Sequence, residues 1–206
     1  MRSLLAALAA PLALSMLAPS TAQAVFIQGN GAASTENLGR FTGQVTYTAN
    51  TMTTGTLSIS LTNTNTPIEG GFITGVVFNI PGSDALASAT LATTAHSGFL
   101  DLGSESAAPF GTYDAGAALG GAWLGGGSPN GGIAAGTTGT MTFTVSAADA
   151  SSLMAEQFVG ASTMVVRFKG FANGGSDKVP VQLIPAPGAV ALAGMGGLLL
   201  VRRRRK

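Results

Sequence analysis

The side chains that could do chemistry in this 206-residue chain are few and scattered. The single histidine, His96, is followed by Ser97, but the chain has no Gly-x-Ser-x-Gly turn of the kind that holds a hydrolase nucleophile. There is no cysteine, so thiol catalysis is excluded, and one histidine supplies too few ligands for a zinc site. We therefore expect no catalytic, cofactor-binding or metal-binding residues, and we interpret His96 as a surface histidine in a polar loop.

Carboxylates are the next candidates, because they serve both glycoside hydrolysis and calcium binding. Asp101, Glu105 and Asp114 lie in one stretch, but their spacing singles out no pair that would sit ~5 Å apart, as a retaining glycosidase requires. The segment 173–177 combines side-chain oxygens with glycines, and Asp101 with Glu105 could add further calcium ligands. The same segment is equally an ordinary hairpin loop, so calcium remains an open alternative to no metal at all.

Aromatic side chains form one further candidate site. Phe110, Tyr113 and Trp123 lie among glycines, and aromatic faces beside bare backbone can stack on sugar rings. Tyr113 and Trp123 are therefore candidate carbohydrate contacts. We favour the other interpretation, in which these rings are hydrophobic plugs that attach a long loop to the core.

The elements that must position these residues show a period of two. Apolar side chains alternate with threonine, serine or other polar residues, which indicates strands with one buried and one solvated face. The clearest runs are 41–47, 57–61, 76–80, 141–145 and 164–169, and weaker ones are 25–28, 89–94 and 179–183. They predict an all-β fold, an antiparallel two-sheet sandwich. The runs 56–63 and 75–80 resemble strands of cohesin-like or immunoglobulin-like modules, with a jelly roll as another possible arrangement.

Two segments depart from this pattern. Ser146 and Asp149 have capping-box spacing before 147–158, which predicts one short helix there. The stretch 97–136 is rich in glycine and shows no sustained period, so we interpret it as long irregular connections with a short helical turn near 115–119.

Both ends of the chain carry export features. Arg2, the apolar run 4–17 and Ala22-Gln23-Ala24 have the layout of a secretory signal peptide over residues 1–24. Because Ala22 and Ala24 suit signal peptidase, we expect the mature chain to begin at Val25. An uncleaved N-terminal anchor is the alternative.

The C-terminal tail, residues 185–206, has three parts. Pro185-Ala186-Pro187 precedes an apolar segment over 188–201, which predicts a membrane helix, and five cations follow: Arg202, Arg203, Arg204, Arg205 and Lys206. Fourteen helical residues reach ~21 Å, short of a hydrocarbon core of ~30 Å, so we expect a transient rather than a permanent anchor. The cations would stay on the cytoplasmic side and leave the rest outside.

This tail resembles the PEP-CTERM sorting signal of Gram-negative bacteria, with Ala186 where the family usually carries glutamate. The resemblance implies processing by an exosortase near the proline motif, transient anchoring in the inner membrane, and export to the envelope, the cell surface or the extracellular matrix. An ordinary C-terminal anchor helix is the alternative. The resemblance covers the tail alone and implies nothing about residues 25–184, which we call the passenger.

The passenger is one acidic domain. It holds four cations and nine anions, a net charge of about −5, which disfavours binding to nucleic acid. The export features, the polar sandwich and the sparse chemistry predict a non-enzymatic structural or adhesive protein of the envelope or matrix. The resemblance of the tail to the PEP-CTERM signal implies an association with exopolysaccharide. A carbohydrate-binding module or a polysaccharide-acting enzyme is the alternative.

Overall fold

The computed structural model describes residues 23–82, 84–125, 128–160 and 162–185. Within these ranges the chain forms β-strands and short 3₁₀ turns. The strands are β1 (Gln23–Gly29), β2 (Phe41–Ala49), β3 (Thr54–Asn63), β4 (Gly70–Phe78), β5 (Ser88–Thr94), β6 (Phe99–Leu102), β7 (Glu105–Ser106), β8 (Thr112–Tyr113), β9 (Ala115–Leu119), β10 (Thr138–Ser146), β11 (Met164–Phe171) and β12 (Ser176–Ile184). The turns lie at Gly31–Ala33, Pro129–Gly131, Ala150–Ser152 and Ala155–Phe158.

Ten of the strands pair in a single antiparallel order, β5-β10-β3-β2-β1-β12-β11-β4-β9-β6, while β7 and β8 form a separate small hairpin. We call β5, β10, β3, β2 and β1 the first sheet, and β12, β11, β4, β9 and β6 the second sheet. The predicted all-β, antiparallel fold is confirmed. The finer assignment to an immunoglobulin-like, cohesin-like or jelly-roll topology stays a prediction.

The two sheets pack face to face over one hydrophobic core. Phe78 of β4 meets Phe143 of β10 edge to face with ring centroids 4.9 Å apart, and Phe41 of β2 lies 6.3 Å from Phe168 of β11. All four rings are buried. Because each fully buried large apolar side chain contributes about 1.5–3 kcal/mol, these cross-sheet contacts hold the sandwich closed without disulfides.

Strand β3 shows why the sequence folds this way. Its side chains alternate without a break between half-exposed hydroxyl residues and buried apolar ones, of which Leu57, Ile59 and Leu61 have no exposed surface. A register slip of one residue would expose the whole apolar set, so this pattern specifies its own pairing.

The stretch 97–136 is more regular than expected. It contains β6, β7, β8 and β9, and residues 115–119 form a strand, so the prediction of a helical turn there was wrong. All five residues of β9 are buried, because β4 and β6 flank the strand and the main core and the smaller second core cover its two faces. A strand of small residues buried on both faces has no alternation by which a sequence could reveal it.

The helix predicted over 147–158 is broken. Two 3₁₀ turns stand in its place, separated by extended backbone at Leu153 and Met154. The interruption places Phe158 in the core, where it stacks on Tyr47 with centroids 5.3 Å apart, and Asp149 makes no side-chain cap. Tertiary burial of Phe158 outweighs local helix propensity here.

Most of the two export features fall outside the described residues, including Ala22 and the predicted membrane helix 188–201. Ala24 lies in β1, opposite Thr46, and Pro185 follows β12. No helix long and apolar enough to cross a membrane occurs in the described ranges.

Candidate functional site

The two candidate sugar-binding rings are buried. Two loops, 103–113 and 120–125, cover the outer face of the second sheet, and we call them the roof. Tyr113 and Trp123 are each 1% exposed in a small second core that joins the roof to Val77, Ala118 and Val165. Neither ring therefore offers a face to a sugar in this structure, and their arrangement is that of the plugs favoured from the sequence.

Glycine makes room for the roof. A Cβ at Gly75 of β4 would lie 3.0 Å from Cζ3 of Trp123, so the indole rests directly on the strand backbone. Burial also raises the pKa of Tyr113, whose hydroxyl donates to the carbonyl of Phe110 at 3.4 Å. The indole Nε1 of Trp123 is buried and has no hydrogen-bond partner.

The carboxylates of the predicted loop cluster serve as backbone caps. Asp101 Oδ1 accepts from the Leu91 amide, Asp114 Oδ2 accepts from the Ile80 amide at 2.9 Å, and Glu105 accepts from its neighbour Ser106. They thus hold three different backbone segments. No group of three or more histidine, cysteine, aspartate or glutamate side chains that could hold a metal ion occurs in the described part of the chain.

Asp177 accepts four hydrogen bonds from the protein. It is 1% exposed and accepts from Thr35 Oγ1 and from the amides of Glu36, Leu38 and Gly39, at 2.8–2.9 Å. Burial alone would raise the pKa of this carboxyl, but the hydrogen bonds from Gly39, Glu36, Leu38 and Thr35 outweigh it and the pKa is lowered. In the calcium alternative Asp177 was a ligand. Here it closes the loop 35–39 onto the second sheet.

A glycosidase general acid needs a raised pKa. The pKa of Glu69 is lowered by hydrogen bonds from Thr66, and that of Asp84 by the amides of Ala148 and Leu86. Asp177 shows the same direction, so all three carboxyls with a clearly shifted pKa are stabilised in the charged form. A charged carboxylate accepts hydrogen bonds from backbone amides, whereas a general acid must hold a proton.

His96 is half-buried rather than a free surface histidine. Its ring lies 6.2 Å from that of Phe99, and its Nε2 is buried without a partner. The packing against β10 is close, since a Cβ at Gly139 would lie 2.9 Å from its Cδ2.

The largest regular feature of the surface is a grid on the outer face of the first sheet, which we call the hydroxyl face. The strand register aligns four rows across β2, β3 and β10. The rows are Thr42–Thr62–Thr138, Gln44–Ser60–Thr140, Thr46–Ser58–Thr142 and Thr48–Thr56–Thr144. Thr90 and Thr93 of β5 extend the last two rows.

The hydroxyl face is partly organised by its own hydrogen bonds. Thr62 Oγ1 and Thr138 Oγ1 lie 2.7 Å apart, and Thr140 Oγ1 donates to Ser60 Oγ at 3.2 Å. Neighbouring strands are ~4.8 Å apart and successive positions on one face of a strand ~6.8 Å, so four rows span about 20 Å. None of these positions carries a charged residue, whereas about a quarter of residues in ordinary domains are charged.

This face, rather than a pocket, is the main candidate for contact with a large ligand. A cavity of about 220 Å³ lies between Arg40, Glu69 and Phe171, and another of about 280 Å³ lies beside Phe26, Glu156 and Ile184. Both are smaller than the roughly 300–1,000 Å³ usual for small-molecule sites. The alternating threonines were visible in the sequence. Their alignment into rows depends on the register between β10 and β3, in which Thr138 pairs with Thr62 across 76 residues of sequence.

Comparisons with known proteins add little. No protein-family model matches the chain, and no curated protein does. Among solved structures, one similar chain is a biomass-sensing module from Rsgi-like proteins of Clostridium thermocellum, described as resembling a family 3 carbohydrate-binding module. It aligns with 9% identity and a TM-score of 0.34, and the alignment covers 71% of this chain and 92% of that chain. A CBM3 of Hungateiclostridium clariflavum aligns with 10% identity and a TM-score of 0.33, covering 81% and 100%. Likenesses this low say nothing about what this chain binds.

Proposed function

We propose that this chain is an exported, non-catalytic protein that binds neutral polysaccharide through the hydroxyl face and acts structurally or adhesively in the cell envelope or extracellular matrix. The observation that carries the proposal is the uncharged grid of hydroxyl and amide groups across three strands. A polysaccharide offers hydroxyl groups along an extended chain, and these can exchange hydrogen bonds with threonine and serine.

The lack of charge matters energetically. Covering a charged side chain with a polymer removes its hydration, which costs several kcal/mol unless a partner replaces it. Hydroxyl groups lose far less, and each can both donate and accept. The hydroxyl face therefore suits an uncharged polymer better than a protein partner, whose interfaces favour aromatic and arginine anchors.

The route of export belongs to the same proposal. Signal peptidase would remove residues 1–24, and an exosortase-type enzyme would process the tail at Pro185-Ala186-Pro187 after transient anchoring in the inner membrane. The pairing of Phe26 with Ile184 supports this arrangement, because it places the start of β1 beside the end of β12. The two ends of the described domain therefore lie side by side.

The first test is binding without turnover. The full chain, purified in mild detergent, is incubated with insoluble neutral exopolysaccharide, and co-sedimentation and released reducing sugar are both measured. We expect co-sedimentation with no sugar released. Released sugar would favour the polysaccharide-acting enzyme instead, and an unbound protein would contradict the proposal.

The second test places binding on the hydroxyl face. Thr142→Lys puts one charge on the third row, and we expect at least a tenfold loss of affinity at nearly unchanged melting temperature, because the position lies on the outer face and is paired only with Ser58 and Thr93. Ile68→Lys, at a loop residue that is 87% exposed, adds charge away from the face and should bind like the wild type. Equal binding by both variants would exclude this face.

A further inference from the structure

Three of the four cations of the passenger lie together on the outer face of the second sheet. Arg167 of β11 pairs directly with Lys178 of β12, and Lys169 lies two residues further along the same face of β11. We call these three residues the cationic seam. In a domain with nine anions, this concentration of positive charge needs an explanation.

The two lysines of the cationic seam are hydrogen-bonded to the two loops of the roof. Lys178 Nζ donates to the carbonyl of Ala108, in the first roof loop. Lys169 Nζ donates to the carbonyl of Gly125, in the second roof loop, at 2.8 Å. Arg167 lies between these two contacts on the sheet and is 7% exposed.

The Nε of Arg167 is buried and has no hydrogen-bond partner among the described residues. Burial lowers the pKa of the guanidinium, and burial followed by repulsion from Arg167 lowers that of Lys178. Like charges directly opposite each other on paired strands are destabilising, and a buried cation loses its hydration.

Trp123 lies over the strand position next to Arg167. Gly75 of β4 is directly opposite Arg167, and the benzo edge of the Trp123 indole rests on Gly75. The indole Nε1 of Trp123, in a side chain that is 1% exposed, also has no partner among the described residues. Two side chains under the roof thus carry buried N–H donors that no described residue satisfies, and buried donors are rarely left unpaired in proteins.

We propose that the cationic seam binds an oxyanion, with Arg167 Nε as a buried donor and with Lys178 and Lys169 supplying positive charge. The planar fork of arginine matches carboxylate and phosphate oxygens alike, so the ligand is either the carboxylate of an acidic sugar or a free phosphate. The site is independent of the neutral-polymer contact on the hydroxyl face.

The chain provides its own probe for this site. Trp123 is the only tryptophan, so the tryptophan fluorescence of the full chain comes from the roof, next to the cationic seam. We would titrate the full-length protein with sodium glucuronate and with sodium phosphate, using sodium chloride at matched ionic strength. A saturable emission change with either oxyanion, absent with chloride, is expected, and the anion that saturates at the lower concentration identifies the source.

Substitutions distinguish specific binding at the cationic seam from an adventitious ion only. Arg167→Met keeps the volume and removes the donor and the charge, so the saturable change should disappear. Lys178→Gln should weaken binding at least tenfold, and it serves as the second test if Arg167→Met does not fold. Arg40→Gln removes the same charge from an exposed side chain that contacts Asn37, and it should titrate like the wild type.

Each outcome decides the proposal. The same response in Arg167→Met and Arg40→Gln would show an adventitious ion only, and no saturable response to either oxyanion would also overturn the site. Co-sedimentation of Arg167→Met with neutral exopolysaccharide is measured in parallel, so that failure of the seam is distinguished from failure of the hydroxyl face.

Discussion

Asp177 illustrates how single residues stabilise this protein without disulfides. Its carboxylate lies in the strand β12 and reaches four donors in residues 35–39, so it ties a loop between β1 and β2 to the second sheet across some 140 residues of sequence. A charged acceptor with several donors is worth more than neutral hydrogen bonds, at about 1.5–3 kcal/mol each.

We expect Asp177→Asn to lower the free energy of unfolding by about 3 kcal/mol at pH 7, because an amide offers one acceptor oxygen and a misplaced donor. The folded-state pKa of Asp177 is lowered, so its stabilisation is present above the unfolded value of about 3.9 and is lost as the pH falls through the folded pKa. The difference between variant and wild type should therefore shrink in acid.

Denaturant unfolding at several pH values measures this difference. Glu156→Gln, at an exposed carboxylate, is the matched control and should change stability by less than about 0.5 kcal/mol. A deficit in Asp177→Asn that stays constant down to pH 2 would show that the charge of Asp177 does not contribute.

At the scale of elements, β9 decides how the second sheet is built. It lies between β4 and β6, and a Cβ at Gly116 would collide with the carbonyl oxygen of Val76. The strand can approach β4 this closely only because position 116 has no side chain. The roof depends on the same approach, since Ala118 of β9 is part of the second core with Trp123.

Gly116→Ala should therefore lose about 3 kcal/mol, at the upper end of overpacking costs, since backbone rather than a flexible side chain obstructs the new methyl group. Trp123 fluorescence during denaturation follows the roof directly. Gly103→Ala, in the same part of the chain, meets nothing within 4 Å and should be neutral or slightly stabilising. Equal stability of the two variants would contradict the close β4–β9 approach.

At the scale of the whole molecule, the pairing of β1 with β12 places the two ends of the described domain side by side. Phe26 faces Ile184 across this pair, so the predicted first residue of the mature chain, Val25, lies near Pro185. The hydroxyl face and the cationic seam lie on opposite sheets, so the two proposed sites can bind different ligands.

We expect the exported protein to begin at Val25 and to lack Lys206, because the proposed route assigns the small-residue site at Ala22–Ala24 to signal peptidase and the proline motif to an exosortase-type enzyme. Intact mass and terminal peptide sequencing of protein recovered from the cell surface measure both ends. Replacing the five terminal cations with neutral residues should impair retention during processing. If the protein at the cell surface retains Lys206, the tail is not a processed sorting signal and a simple membrane anchor is the remaining interpretation.

The sequence by itself determined the half-buried strands. In β2, β3, β10 and β11 the alternation of apolar and polar residues is a local property, because successive side chains of a strand face opposite ways whatever the strand pairs with. The same alternation was enough to predict an all-β, antiparallel fold. The sequence did not reveal that Asp101 and Asp114 cap the amides of Leu91 and Ile80, because these partners come close only when the strands pair.

Only the tertiary structure decided the rest, because it depends on contacts between distant segments. β9 is a strand through burial on both faces, and Phe158 breaks the predicted helix by entering the core. The threonines become a hydroxyl face only when the register aligns three strands. Arg167 and Trp123 lie 44 residues apart, and they come to neighbouring positions only because Trp123 rests on Gly75, which pairs with Arg167.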